Sequence, residues 1–365
     1  MYVEKISFKN LRNLCDSTLE INKGINILHG DNAQGKTNLI ESIYFCATGR
    51  SHRTHLYKDM IKFGEKEAYI KTHINNDGIT DIISSHLKKD ISKGIAINNI
   101  PIRKLGELFG TLLVVIFSPE DLQLIKSGPS ERRKFMDIEL CQLNPIYYYE
   151  LKQYHNVLKQ RNILLKKMRK ERSAEKTLFT WNEQLVVHGI KIMNYRKDFV
   201  EKINSVASRL HSNITNEKEI LSIIYKPNIT ESDFLVKLSK NLERDILQGS
   251  TSTGVHKDDL DMIINDIDAR IYGSQGQQRT ASLSVKLSQI EIIYQAKNTY
   301  PILLLDDVLS ELDESRQMFL ISQLKNIQTI ITCTGAEDIL KKISDTEVFN
   351  MYRVERGEIS LENFQ

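Results

Sequence analysis

The chain has 365 residues, 41% hydrophobic and 27% charged, which describes an ordinary soluble protein with room for two or three domains. A net charge of +3 does not by itself mark a nucleic-acid binder. No apolar run approaches the roughly 18 residues of a membrane span, and the N-terminus lacks a secretory h-region, so a cytoplasmic protein with no membrane partner is expected.

Tyr2 to Phe8, Ser17 to Ile21 and Ile25 to Leu28 read as strands. The run Ile25 to His29 leads into Gly30-Asp31-Asn32-Ala33-Gln34-Gly35-Lys36-Thr37, and a helix-like segment from Asn38 to Ala47 follows. Strand, glycine-rich loop and helix in succession make a nucleoside triphosphate site that runs through Asn38. Gly30 and Gly35 let backbone N–H groups turn inward, Lys36 reaches the β- and γ-phosphates, and Thr37 offers its hydroxyl to Mg2+. Ala68 to Ile74, Ile79 to Leu87 and Gly94 to Ile100 read as further strands, with turns at Asn76-Asp77-Gly78 and Asn98-Asn99. Leu112 to Phe117 is a buried strand, after which Ser118-Pro119-Glu120-Asp121 opens a helix.

From about Pro145 the chain turns polar and helical. Leu151, Tyr154, Leu158, Leu165 and Met168 recur at alternating three and four spacing, broken by Arg161, and Trp181, Leu185, His188, Ile192, Tyr195, Phe199 and Ile203 do the same. Two long helices joined near Glu171 to Lys176 should pack as an antiparallel hairpin, with His188 a packed residue in the stripe rather than a ligand or base. Pro227 and Ser250 to Gly254 mark a return to the first domain, which makes the helices an insertion in it.

Gly273-Ser274-Gln275-Gly276-Gln277-Gln278-Arg279 precedes an amphipathic stretch, Thr280 to Ala296, with Leu283, Leu287, Ile290 and Ile293 at helical spacing. Pro301-Ile302-Leu303-Leu304-Leu305-Asp306-Asp307 is an apolar run ending in two acids, the pattern of a buried parallel strand that is read as Walker B. Asp306 would hold the Mg2+ that Thr37 contacts, and Asp307 would orient or deprotonate the attacking water. Ser274-Gln275-Gly276-Gln277 ahead of these acids resembles the signature motif of ABC ATPases, and Ser310-Glu311-Leu312-Asp313 resembles their D-loop. That resemblance implies a composite site, in which the signature of one copy meets the γ-phosphate held by another.

Six segments in order resemble the bacterial RecF family: the Gly30 to Asn38 loop; Gly49-Arg50-Ser51-His52-Arg53; Phe117 to Lys126 with Gly128-Pro129-Ser130-Glu131-Arg132-Arg133; Gly254-x-His256-x-Asp258-Asp259; Ser274 to Arg279; and Asp306 to Asp313. The similarity covers nearly the whole chain. It implies an α/β fold, an ABC-type P-loop ATPase head (residues 1–125 and 255–365) with an inserted antiparallel helical arm (126–254). It further implies an ATP-dependent DNA-binding protein of recombinational repair, replication-fork maintenance and SOS induction, a weak DNA-stimulated ATPase with ATP and Mg2+. Its implied partners are double-stranded and gapped DNA, RecR and RecO in loading RecA, and a second copy in an ATP-dependent homodimer.

Three positions depart from the wider superfamily. No glutamine opens the helix after Phe117, Gln123 being nearest; the strand Thr329 to Thr334 ends without a switch histidine, leaving Thr332 or Thr334 to sense the γ-phosphate; and the second acid is Asp307 rather than glutamate. The shorter side chain points to slow, switch-like hydrolysis. Cys15, Cys46, Cys141 and Cys333 form no C-x-x-C pair, and the arm is short, which argues against a zinc-hook or chromosome-organising ATPase. For DNA, the candidates are Arg132, Arg133 and Lys134, with Lys159, Arg161, Lys166, Lys167, Arg169, Lys170 and Arg172 on the first arm helix. A solvated helix face explains the arm cluster equally well, and no base-reading motif is present, so backbone recognition is expected. The competing reading is a nucleotide-gated dimeric scaffold that does not bind DNA directly.

Overall fold

The computed structural model describes residues 1–170, 175–335, 340 and 349–362. The chain forms two compact units, Met1–Asp121 with Lys286–Gln365, and Leu122–Val285. The first opens with β1 (Tyr2–Lys9), β2 (Ser17–Glu20), β3 (Ile25–His29), α1 (Lys36–Thr48), β4 (Glu67–Asn76), β5 (Ile79–Lys88), β6 (Gly94–Ile97), β7 (Ile100–Pro101) and β8 (Val114–Phe117). Next come α2 (Gln123–Lys126), α3 (Pro129–Leu143), α4 (Pro145–Met168), α5 (Glu175–Ile214), β9 (Leu221–Lys226), α6 (Phe234–Lys240), α7 (Leu242–Gln248), β10 (Asp259–Ile264), β11 (Ile267–Asp268) and α8 (Gln275–Lys297). The chain closes with β12 (Ile302–Asp306), α9 (Glu314–Ser322), β13 (Thr329–Cys333), β14 (Phe349–Glu355) and β15 (Glu358–Glu362). Among the described residues no helix is long and apolar enough to cross a membrane.

Two sheets build the first unit. One runs β15-β14-β3-β13-β12-β8, parallel except for β15, and the other is the antiparallel β2-β1-β4-β5-β6-β7. Every residue of β12 and β13 is buried, as continuous apolar runs require of strands covered on both faces. Helix α1 is buried on nearly all sides, with polar Glu41, Ser42 and Thr48 included: Leu39, Ile40, Ile43 and Phe45 share one core with Ile6, Ile70 and Ile83 of the antiparallel sheet and with Leu28, Val114, Leu304 and Ile330 of the parallel one. Each such side chain contributes about 1.5–3 kcal/mol. Asn98 and Asn99 both adopt positive φ, 51° and 64°, so the strand expected over Gly94 to Ile100 folds back on itself as the β6–β7 hairpin.

In the second unit α4 and α5 pack as the antiparallel hairpin that the stripes predict; the centre of the expected connection, 171–174, lies outside the described residues. The stripe itself is rotated. Tyr147, Glu150, Tyr154, Val157, Arg161, Leu165 and Met168 are buried, whereas Leu151 and Leu158 are only partly so. Arg161 therefore does not interrupt the stripe: it is fully buried, donating to Asn182 Oδ1 at 2.8 Å, Asp245 Oδ2 at 2.9 Å and Thr251 Oγ1 at 2.7 Å. His188 is half-buried, its Nδ1 2.6 Å from Glu150 Oε2. Strand β10 pairs with β9, Met262 opposite Ile223, so the division from the first unit falls inside α8 instead of at residue 254. At the other edge it falls after Asp121 rather than after residue 125.

Candidate nucleotide site

Parallel register brings three strand ends together. Leu28 of β3 and Asp306 of β12 are both opposite Thr332 of β13, so the phosphate loop, Thr332 and the acid pair emerge at one carboxyl edge, where open α/β sheets bind ligands. Gly30 (φ 147°) and Gly35 (φ 118°) occupy left-handed backbone; a Cβ would meet Val354 O at 2.3 Å in the first and Leu14 Cδ2 at 2.7 Å in the second. Gly35 is the N-cap of α1 and supplies no side chain to it; the Asn38 N–H donates to Gly35 O at 3.0 Å, which leaves the N–H groups of Lys36 and Thr37 to an anion. Lys36 Nζ arches back to the carbonyls of Gly30 (2.6 Å) and Asp31 (2.8 Å).

Asp306 Oδ1 accepts from Thr37 Oγ1 and from Thr332 Oγ1, each at 2.8 Å, and the Asp307 N–H donates to Thr332 Oγ1 at 3.0 Å. Burial pushes the Asp306 carboxyl above its usual range, against the hydrogen bonds from Thr332 and Thr37. A cation would relieve that penalty, and a hydroxyl with a carboxylate is the oxygen set a hard divalent ion takes. The residues present therefore fit the metal. A cleft of about 890 Å3 is lined by Asn32 to Asn38, Asp307 and Thr332, together with Arg12, Arg53, Ile61, Phe63 and Lys89.

The supporting layer had no role read from the sequence, although Ser51 and Arg53 belong to the Gly49 to Arg53 family segment. Fully buried Glu41 of α1 accepts from Arg12 Nε (2.9 Å) and Nη2 (2.8 Å) and from Ser51 Oγ (2.5 Å). Burial opposes its ionisation, but the bonds from Arg12 and Ser51 and the charges of Arg12 and Arg53 outweigh it, and its carboxyl lies below the usual range. Arg53 Nη1 donates to Asn38 Oδ1 at 2.9 Å, Asn38 Nδ2 to Asn13 Oδ1 at 2.6 Å, and Asn13 Nδ2 to Ala33 O at 2.9 Å, tying the loop to two other segments. The exposed ring of Phe63, in the cleft lining, also went unforeseen, because a single aromatic beside a glycine carries no signal.

Ser274 and Gln277 form a reciprocal cap on α8: Gln277 N donates to Ser274 Oγ at 3.2 Å and Ser274 N to Gln277 Oε1 at 2.9 Å, with Gln275 and Gly276 in that first turn. Thr334 is exposed beyond β13, and Gln123 accepts from Ser127 in its own turn. Arg132 is corrected as a DNA candidate: it is buried, with Nε 2.6 Å from Asp259 Oδ1, Nη2 3.0 Å from Oδ2 and Nη1 2.7 Å from Ser127 O. Arg133 is committed to Asp258 O at 2.7 Å, whereas Lys134 is exposed beside Glu131 at 3.7 Å. The Gly254-x-His256-x-Asp258-Asp259 segment is scaffolding in the second unit: His256 Nδ1 is 2.7 Å from Tyr154 Oη, and Asp258 Oδ2 accepts from buried Arg196 at 2.8 Å.

The RecF/RecN/SMC N terminal domain family matches residues 2–360. A DNA replication and repair protein RecF from Lachnospira eligens is 47% identical over 365 residues, covering all of both chains. The solved structure of a recombination mediator protein RecF with ATP, in the RecFOR pathway, is 35% identical with a TM-score of 0.92, covering 99% of this chain and 98% of its own. An SMC head domain from Pyrococcus furiosus shares the fold alone, at 15% identity and a TM-score of 0.57. The chain belongs to the RecF family of DNA replication and repair proteins.

Proposed function

We propose that the chain is a slow, Mg2+-dependent ATPase whose nucleotide state governs dimerisation and binding to double-stranded and gapped DNA, acting with RecR and RecO to load RecA. The observation that carries it is the bond between Thr37 and Asp306, residues 269 apart in sequence, at the mouth of a phosphate loop. The ATP in the 35% identical RecF structure supports the same ligand here.

Lys36 exchanges its two carbonyl partners for phosphate oxygens, and the open first turn of α1 receives the rest of their charge. Thr37 and Asp306 hold the metal, which when bound neutralises phosphate charge. Thr332 orients both acids, through Asp306 Oδ1 and the Asp307 N–H. Asp307 takes the proton of the attacking water. Ser274 and Gln277 would have to leave their mutual cap to reach a γ-phosphate in trans, which couples dimer closure to the start of α8. With Arg132 and Arg161 buried, the DNA-facing cations become Lys134 and the exposed Lys159, Lys166, Lys167, Arg169 and Lys170 of α4 and its end; Arg172 lies outside the described residues.

The test is Lys36→Met. Equilibrium binding should show ATP affinity lost, since nothing else in the loop supplies that charge. Unchanged affinity and unchanged ATP-induced dimerisation would remove the site assignment.

A further inference from the structure

His52 is placed at the metal-side carboxylate without a partner of its own. Its side chain is 8% exposed, and neither Nδ1 nor Nε2 makes a hydrogen bond. Buried polar atoms are paired in nearly all folded proteins, so an orphaned imidazole calls for a missing group. The position is not slack. Ser51 Oγ accepts from Arg53 N at 3.0 Å and Thr54 N at 3.1 Å while donating to Glu41, which pins the turn, and the His52 ring meets Tyr44 edge-on at 5.5 Å. Successive residues of that turn serve different ends, Arg53 lining the cleft and His52 facing Asp306.

The decisive distance is 4.0 Å, from His52 Nε2 to Asp306 Oδ2. It is too long for a hydrogen bond, yet one water about 2.8 Å from each atom reaches both. The other carboxylate oxygen, Oδ1, is already engaged by Thr37 and Thr332. Mg2+ retains several of its waters when bound to nucleotide, and each such water has two protons to give. A neutral imidazole keeps one ring nitrogen as an acceptor.

We propose that His52 is a positioning residue of the nucleotide site, accepting through Nε2 from a magnesium-bound water whose other proton goes to Asp306 Oδ2. The proposal rests on the Mg2+–ATP reading above. It assigns to His52 the role of orienting groups behind metal ligands, whose loss typically costs ten- to a hundredfold in metal affinity.

Binding, not turnover, tests it. Fluorescent ATP-analogue affinity of the full chain is titrated against Mg2+ and repeated in EDTA, for the native chain, H52F (ring kept, nitrogens lost), H52A (cavity rather than overpacking) and H52Q (polar end kept). The half-saturating Mg2+ concentration should rise about tenfold or more in H52F and H52A, metal-free affinity should hold, and H52Q should recover most of the loss. Native Mg2+ dependence in both H52F and H52A, or a loss of equal size with and without metal, would make His52 a packing residue and overturn the proposal. If Mg2+ leaves the native chain's own affinity unchanged, the metal–nucleotide reading falls and takes this role with it; a failure confined to the variants leaves that reading standing.

Discussion

In the proposed mechanism Asp307 is the residue on which hydrolysis turns. Its φ of 54° is left-handed backbone, which aspartate tolerates better than most residues but still at a cost of about 1–3 kcal/mol. The conformation is held from two sides: Thr332 accepts from its N–H, and Ser310 Oγ donates to its carbonyl at 2.7 Å. Asparagine is equally at home there, so Asp307→Asn should keep nucleotide and metal on Lys36, Thr37 and Asp306 while removing the base. Hydrolysis should fall by about two to four decades. Steady-state rates equal to those of the native chain would exclude Asp307 from catalysis. The phosphate loop and both acids were readable because each motif is contiguous and dictated by local chemistry; Glu41, Arg12, Ser51 and His52 were not, because what they do depends on which segments meet.

Elements show the same division between local and long-range information. β1 to β5, β8 and β12, the core of α8 and the α4–α5 hairpin all followed from period-2 or 3.6 patterns or apolar runs; the strand bounds differ by one or two residues, whereas α5 runs on to Ile214, well past the stripe that ends at Ile203. β9 and β10 did not stand out, because they are short strands beside the arm and gain their meaning only by pairing with each other. Arg161 misled for a stronger reason, and Arg196 drew no notice for the same one. A basic residue on a polar helix reads as solvated, yet their carboxylate partners Asp245 and Asp258 are 84 and 62 residues distant in sequence. Both arginines are buried, so each carboxylate depends on its guanidinium. Arg196→Ala leaves Asp258 and Asp137 uncompensated and should destabilise the second unit by about 3–5 kcal/mol. Urea unfolding followed by circular dichroism reads this directly, and an Arg196→Ala, Asp258→Ala pair should cost less than the sum of the single changes. A single-variant loss below about 1 kcal/mol would mean that the network is no more than a surface ion pair.

At the scale of the whole molecule, the order of motifs along the chain was legible and the boundary between units was not, since residues 255–285 carry family motifs but pack with the arm. The same stretch holds Ser274, which caps α8 in a single copy and is proposed to meet nucleotide in a second. Ser274→Arg should cost about 1 kcal/mol as a lost cap, leave ATP binding by the monomer intact and block ATP-dependent dimerisation in light scattering. Undisturbed dimers would return the segment to a helix cap and nothing more. The claim joining nucleotide to repair is tested most directly by DNA affinity measured across a salt series, with and without ATP, in the native chain and in Lys36→Met. The account predicts that ATP tightens binding of the native chain, with log affinity falling by about 0.9 per phosphate contact for each unit of log salt, and that Lys36→Met shows no response to ATP. Native DNA affinity that is negligible, or identical with and without ATP, would contradict it and favour the scaffold without direct DNA contact.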